Sequence, residues 1–409
     1  MKHYFRMGVA ALLVLALLLT TPLLGCGGDE EEGKTVITIG MLTDLTGPAG
    51  PALVPLLWAL QDQIKYINAE DPIPGVELRL VTYDTKMDAA RTIPGYEWLK
   101  ERGSEVIVNI FDYDADALKP FAEKDKLPLA SLIVTDPIIE PPGWVFCINS
   151  AMSLQMVTVL KWIGDQWDYD QGLPKIGYIA PNVGAGIEAE EVLREYCQDH
   201  SDEFDWVESF LVPYTTMSWS GETEKLKDCD WIAFAGATGM NIASFVEQYR
   251  AKGYQAKFFG QEGVASFWGY VTDKVGFEAL DGSVFWVGAG WWSDPYPVID
   301  LLKQLLNEYH PAEADKIMRE SIGYIGGGVQ MYFFLQLLQQ AIEEVGAENF
   351  DGQAFYDTAV NFKLTMEGFE EWGFSATKRY CQDHGRIHKV NAAAEDLEIV
   401  GEWVPLLPD

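Results

Sequence analysis

Two segments of the chain carry residue types whose spacing could do chemistry. Gly184-Ala-Gly186-Ile-Glu-Ala189 has the Gly-x-Gly-x-x-Ala spacing of a dinucleotide-binding turn, in which glycines let the backbone approach a pyrophosphate. Glu208 lies at about the right distance onward to contact a ribose hydroxyl. Pro181-Asn-Val183 separates the preceding predicted strand from these glycines, and this interruption argues against a dinucleotide site.

The second segment is acidic and imitates a calcium-binding loop. Asp112-x-Asp114-x-Asp116 places carboxylates at alternate positions, and Glu123 stands at the twelfth position of the loop. The sixth position is Ala117 instead of glycine, and an apolar run precedes the loop where a calcium loop has a helix. We therefore interpret the segment as the acidic start of a helix, which the helix dipole favours.

Cysteines and histidines supply no complete site. Cys-Gln-Asp-His occurs at residues 197–200 and again at 381–384, and each copy is half of a zinc site if the two meet. Neither copy has the surrounding residues that would support a metal, so none is predicted. Beyond residue 26 the chain has four cysteines, which are the two in these copies together with Cys147 and Cys229. An exported protein could oxidise them to disulfides, and the sequence leaves open whether it does.

Catalysis by a nucleophile has no support in the sequence. The histidines beyond residue 25 are few, and none of them stands beside a Gly-x-Ser-x-Gly turn. No catalytic triad can be identified, and no cofactor is predicted. These histidines are His200, His310, His384 and His388.

Alternating β-rich and amphipathic stretches would position these residues. Short apolar runs alternate with helical patterns from Val36 onward, which is typical of parallel strands joined by helical crossovers. The cycle restarts after Asn149, so the sequence predicts two doubly wound α/β units. The predicted strands are 36–42, 76–83, 105–111 and 127–132 in the first unit, and 175–180, 207–212, 231–235 and 257–260 in the second.

The elements predicted beyond residue 280 would make the second lobe larger than an ordinary lobe. We expect residues 283–288 and the predicted helices 298–309, 328–345 and 352–361 to return to the first lobe. The tail from His384 to Val404 alternates apolar with polar residues and is expected to complete the second lobe.

The amino terminus has the order of a secretory signal. Lys2 and Arg6 precede an apolar run from Val9 to Leu19, which is too short for a comfortable membrane span. Leu23-Leu24-Gly25-Cys26 resembles the lipobox of bacterial lipoproteins, in which Cys26 becomes the acylated first mature residue. We therefore predict a signal peptide over residues 1–25 and an acidic tether over residues 26–34.

Charge and length restrict the class of protein further. The chain has 29 Lys and Arg residues against 62 Asp and Glu residues, a net charge of −33, which argues against nucleic acid as a partner. Its 409 residues exceed the usual size of one domain and agree with two lobes. Export would also separate the chain from the cytosolic nicotinamide pool.

Three segments together resemble the branched-chain amino-acid type, or type I, of periplasmic binding protein of ABC transporters. Val36 to Pro48 is similar to that family's opening strand and first ligand loop, and Gly260 to Ala265 is similar to its second-lobe ligand loop. Gly323 to Val345, with Thr377 to Val404, looks like its late helix and closing strands. The resemblance implies two Rossmann-like lobes joined by three crossings, near residues 148, 286 and 374.

The resemblance also implies the lobe boundaries and the site. Lobe one is expected to contain residues 35–148 and 287–373, and lobe two residues 149–286 and 374–409. Doubly wound sheets bind ligands outside the carboxyl ends of their strands, and the family places an acidic residue, here Glu262, on a ligand's ammonium group. The predicted ligand-binding residues are Thr46, Asp112, Tyr113, Asp114, Ser131, Thr135, Asn182, Gly184, Gly236, Glu262 and Trp291.

One departure from the family concerns the ligand's carboxylate. Where the family usually presents hydroxyl groups, this chain has Asp112-Tyr113-Asp114, and two carboxylates would repel an acidic ligand. Ser131 and Thr135 could still donate hydrogen bonds. The acidic loop and the nearby tryptophans suit an amine or another cation.

The sequence therefore predicts a monomeric, lipid-anchored, extracytoplasmic solute-binding protein. It would hold an amino-acid-like, amine or amide ligand by hinge closure and deliver it to an ABC transporter permease. Two alternatives stay open at this point: a secreted two-lobe enzyme, and a ligand-sensing subunit of a membrane receptor.

Overall fold

The computed structural model describes residues 34–236, 239–320 and 322–407. The predicted signal peptide, Cys26 and the tether up to residue 33 lie outside the described residues. Within the described part, no helix has both the length and the apolar character that a membrane span requires.

The first sheet consists of five parallel strands. They are β1 Thr35–Thr43, β2 Val76–Asp84, β3 Ser104–Asn109, β4 Leu129–Ser131 and β5 Val145–Cys147, in the order β2-β1-β3-β4-β5. Helices α1 Gly50–Glu70, α2 Thr92–Lys100, α3 Asp112–Asp125 and α4 Asp136–Ile139 connect them. Seven consecutive residues of β1, from Ile37 to Thr43, are buried, as expected for a central parallel strand covered on both faces.

The second sheet has seven strands and is mixed. Its elements in chain order are α5 Met152–Asp165, β6 Lys175–Pro181, α6 Gly184–Asp199, β7 Asp205–Val212, α7 Ser220–Lys225, β8 Trp231–Phe234, α8 Gly239–Ala251, β9 Lys257–Gly260, α9 Glu262–Ala265, α10 Trp268–Val275 and β10 Val284–Val287. The remaining elements are α11 Pro297–Tyr309, α12 Ala314–Glu320, α13 Ile322–Val345, α14 Gly352–Ala359, β11 Lys363–Leu364, β12 Trp372–Gly373, β13 His384–Asn391 and β14 Asp396–Pro405. The strand order is β14-β13-β10-β9-β8-β6-β7, with β13 and β14 antiparallel to their neighbours.

The predicted fold class, two sheet-centred α/β lobes, is confirmed. The late helices α11 and α13 pack against α1 beside the first sheet, while β13 and β14 complete the second. The lobe boundaries stay a prediction. The sequence did not predict strand β5, the short helices α4, α7, α9, α10 and α12, or the small β11-β12 pair, because such short elements have little periodicity.

Close packing of α13 against α1 and α11 explains two neighbouring glycines of α13. A Cβ atom added at Gly327 would lie 2.5 Å from Leu56 Cγ, and one at Gly328 would lie 2.9 Å from Leu302 Cδ1. Only glycine allows the backbone of α13 to approach these leucines so closely. Helices α1 and α13 together form one wall of the cavity described below.

Two connections between the sheets run side by side at Cys147 and Cys381. Cys147 donates its backbone amide to Arg379 O at 2.6 Å, and Cys381 donates to Cys147 O at 3.0 Å. Cys147 is therefore paired with Tyr380, and the side chain of Cys381 points to the opposite face. The four described cysteines are buried free thiols, and burial raises the pKa of the Cys147 thiol to about 12.

Candidate functional site

A cavity lies where the carboxyl ends of strands from both sheets meet. The empty space between its walls, including the open mouth, is about 1080 Å³. The first lobe contributes residues that follow β3 and β4, and the second contributes residues that follow β6, β8 and β9. The position is the one expected for doubly wound sheets.

The cavity wall is mostly apolar. Among the described residues that line it, the charged ones are Asp112 and Glu262, and none is Lys, Arg or His. Polar lining groups include Asn149, Ser150 and Gln155. The apolar lining includes Leu53, Leu56, Met87, Ile110, Phe111, Leu132, Ile133, Met152, Val183 and Phe267.

Glu262 is a buried carboxylate at the inner end of this wall. Helix α9 begins with this residue directly after β9, and its Oε1 accepts a hydrogen bond from Ala289 N at 3.1 Å. Its Oε2 accepts from Gln330 Nε2 of α13 at 3.3 Å, and its own amide donates to Gln155 Oε1 at 3.2 Å. Burial raises the pKa of Glu262 to about 7, and two backbone hydrogen bonds only partly oppose this shift.

Asp112 contacts the other lobe instead of facing only the cavity. It is the first residue of α3, and its Oδ2 accepts a hydrogen bond from Ala185 N at 2.7 Å, in the first turn of α6. A negative charge at the amino terminus of a 16-residue helix is favourable. Burial raises the pKa of Asp112, while hydrogen bonds from backbone amides lower it.

The neighbours of Asp112 have separate roles. The hydroxyl of Thr92 donates to Asp114 Oδ1, away from the cavity lining, and burial raises the pKa of Asp114 to about 6. The ring of Tyr113 stacks on Phe111, with centroids 5.2 Å apart. The segment is helical from Asp112 onward, which agrees with its interpretation as an acidic helix start.

The remaining predicted site residues are dispersed. Gly236 lines the cavity, whereas Thr46 lines an adjoining outer pocket and donates its hydroxyl to Asp84 Oδ2 at 2.7 Å. Ser131 is buried and donates to Asn109 Oδ1 at 2.6 Å. Trp291 is buried in the core and donates its indole N–H to Asp396 Oδ1 at 2.9 Å.

Three further predicted residues lie near the contact between α6 and the first lobe. Thr135 precedes α4, and its Cγ2 would be 3.7 Å from a Cβ atom placed on Gly184. Asn182 is exposed, and its backbone amide donates to Val212 O at 2.9 Å. None of these three is among the described residues that line the cavity.

Gln155 and Gln330 are site residues that the sequence did not predict. Both glutamines are buried, Gln155 in the first turn of α5 and Gln330 in the apolar first half of α13, and both form a hydrogen bond with Glu262. The available signal was a lone amide within an apolar helical run, since buried polar side chains require hydrogen-bond partners.

Comparison with known proteins gives one family and one fold. Residues 36–394 match the family model described as "Periplasmic binding protein". No match is found among curated protein sequences. Among solved structures, the chain is similar to a branched-chain amino acid ABC transporter protein from Thermus thermophilus with bound valine, with 17% identity, a TM-score of 0.80 and coverage of 91% of this chain and 97% of that one.

Two further structures share the fold but differ in their named ligands. A fatty acid ABC transporter substrate-binding protein from Thermomonospora curvata has 15% identity and a TM-score of 0.77, covering 91% of this chain and 94% of that one. A solute-binding protein from R. palustris in complex with 4-hydroxybenzoate has 17% identity and a TM-score of 0.74, covering 91% and 98%. At these identities the similarity concerns the fold and leaves the ligand of this chain open.

Proposed function

The chain belongs to the periplasmic binding protein family, whose members bind solutes outside the cytoplasm for ABC transporters, and we propose that its ligand is a small, largely apolar amine or amide. The family and its structural neighbours are substrate-binding proteins, so the chain is a binding protein and not an enzyme. The ligand occupies the cavity between the lobes, and the closed form delivers it to a permease.

The charge of the cavity wall supports this ligand class. Glu262 and Asp112 are the charged groups among the described lining residues, and no basic side chain balances them. A ligand carboxylate would lose its hydration and meet two like charges. An ammonium group would instead form a charge-assisted hydrogen bond with Glu262, and its apolar part would contact the leucine, isoleucine and methionine side chains of the wall.

A thermal-shift screen tests the ligand class directly. The purified protein is screened against amines, amides, amino acids and aliphatic or aromatic acids at equal concentrations. A ligand that binds only the folded state stabilises it by about 3 kcal/mol at 100 times its Kd, so amines and amides should raise the melting temperature by several degrees. A rise restricted to acids without an amino group would contradict the proposed class.

We further propose that the protein acts as a monomer held to the membrane through Cys26. Replacing Cys26 by Ser is expected to leave the precursor unlipidated, because the thioether to the lipid requires the cysteine sulfur. Fractionation of cells should then move the protein from the membrane to the soluble extracytoplasmic fraction. A variant that still sediments with membranes as the wild type does would contradict the anchor.

A further inference from the structure

Two carboxylates connect the lobes on the side of the cleft where α6 begins. Asp112 Oδ2, from the first lobe, accepts from Ala185 N at 2.7 Å. Glu188 Oε1, from the first turns of α6, accepts from Asp136 N of the first lobe at 2.8 Å. The two hydrogen bonds run in opposite directions, because each lobe supplies one carboxylate and one backbone amide.

The position of Gly184 fits this arrangement. A Cβ atom at this residue would lie 2.8 Å from Asp112 Oδ2 and 3.7 Å from Thr135 Cγ2, so a side chain here would push against the first lobe. The glycine therefore permits a close approach of the lobes, independently of any backbone strain. Asp112 is buried, so the contact excludes water and its hydrogen bond is strengthened.

We propose that Asp112 and Glu188 form a latch that favours the closed arrangement of the lobes before any ligand is bound. The latch rests on the proposed function and gives both residues a conformational role. In this role Asp112 positions the lobes and does not contact the cationic group of a ligand. Only the closed form has the complete cavity, so the latch raises the population that is competent to bind. The apparent Kd of a ligand is inversely proportional to that population, so it decreases as the population rises.

A latch and a direct ligand contact predict different changes in affinity when Asp112 is replaced. Breaking it lowers the closed population by the same factor whatever the ligand, so all ligands lose affinity equally. Direct contact between Asp112 and an ammonium group would instead weaken amines much more than neutral amides. One charged hydrogen bond at a helix terminus corresponds to about a tenfold change in the ratio of closed to open protein.

The first test measures the ligand-free protein and needs no knowledge of the ligand. Nitroxide labels are placed on the exposed positions Glu101 of the first lobe and Gln198 of α6, each replaced by Cys, since the four native thiols of the described residues are buried. Electron–electron double resonance then gives the distribution of distances between the lobes. Gly184→Ala and Glu188→Gln should each shift this distribution away from the closed population, and neither residue lines the cavity.

Glu195→Gln provides the matched control. It changes the same charge on an exposed face of α6 and leaves both hydrogen bonds between the lobes in place. Its distance distribution should equal that of the wild type. Identical distributions for the wild type, Gly184→Ala and Glu188→Gln would overturn the latch.

The second test separates positioning from contact. Butylamine and butyramide are titrated calorimetrically into the wild type and Asp112→Asn, and the latch predicts the same loss of affinity, at most about tenfold, for both probes. A loss confined to butylamine would overturn the positioning role. If neither probe binds the wild type, the proposed ligand class fails while the distance measurement still decides the latch.

Discussion

Replacement of Glu262 by Gln is expected to weaken the binding of an alkylamine by about 100-fold at pH 8, which corresponds to about 3 kcal/mol. The carboxylate is buried, and a charge pair in such surroundings loses several kcal/mol when one partner is neutralised. The Gln side chain has the same shape, and its oxygen can still accept from Ala289 N. Calorimetric titration of butylamine into both proteins measures the difference.

Two comparisons make the result specific to charge. Butyramide should bind the wild type and Glu262→Gln with Kd values within a few-fold of each other, because it carries no cation. Asp112→Asn should weaken both probes by a similar, smaller factor. An unchanged Kd for butylamine in Glu262→Gln would remove Glu262 from the site.

The same substitution should change the pH dependence of stability in the absence of ligand. Burial raises the pKa of Glu262 from 4.5 to about 7, so the unfolded chain releases its proton at lower pH than the folded protein does. The contribution of Glu262 to the free energy of unfolding is therefore complete below about pH 4.5, and it is lost as the pH rises through about 7. In urea unfolding, the free energy of unfolding of Glu262→Gln relative to that of the wild type should increase by about 3 kcal/mol between pH 4.5 and pH 8. Parallel pH curves for the two proteins would contradict this assignment.

The fold could be predicted from the sequence because local patterns determine much of it. The apolar run from Ile37 to Leu42 is buried on both faces and forms β1, and the stripe from Leu53 to Ile64 faces the core on α1. Parallel strands require long crossovers, so alternating strands and helices leave few other topologies.

The predicted ligand loop at Gln261 illustrates a limit of local patterns. Residues Glu262–Ala265 form the short helix α9, although the sequence predicted a loop there. Gln261 caps this helix by accepting from Val264 N at 2.9 Å. The prediction of Glu262 as a site residue depended on the family resemblance and not on the conformation of the segment.

Individual side chains at the site were harder to predict, because their partners are distant in the sequence. Thr46 donates to Asp84, 38 residues away, and Asp112 contacts Ala185, 73 residues away. Trp291 could have lined the cavity or the core, and its partner Asp396 is 105 residues away. Residue type alone gives no information about which of these partners is near, whereas Glu262 could be identified through the family resemblance.

A buried histidine outside the cavity is expected to limit stability in acid. His388 lies in β13 between Phe285 of β10 and Ile399 of β14, and its side chain is fully buried. Burial lowers the pKa of His388 from 6.5 to about 4. A backbone hydrogen bond with Arg386 opposes this shift only in part, and the positive charge of Arg386 adds to it.

Acid destabilises the folded protein at His388 because, as the pH falls, the unfolded chain binds a proton there before the folded protein does. Below about pH 6.5 the unfolded chain takes up a proton at this residue, whereas the folded protein resists protonation down to about pH 4. The contribution of neutral His388 to the free energy of unfolding is therefore complete above pH 6.5. It decreases by about 3 kcal/mol as the pH falls to 4. His388→Leu removes this loss, because leucine has a similar size and cannot be protonated.

Urea unfolding of His388→Leu and the wild type at pH 7.5 and pH 4.5 measures this contribution. The variant should lose about 3 kcal/mol less than the wild type over this interval, because leucine cannot be protonated. Val390→Ala, a buried change on the same strand, should cost stability equally at both pH values and retain the wild-type difference. If His388→Leu retains that difference as well, the pKa of His388 is not lowered in the folded state, and the histidine does not limit stability in acid.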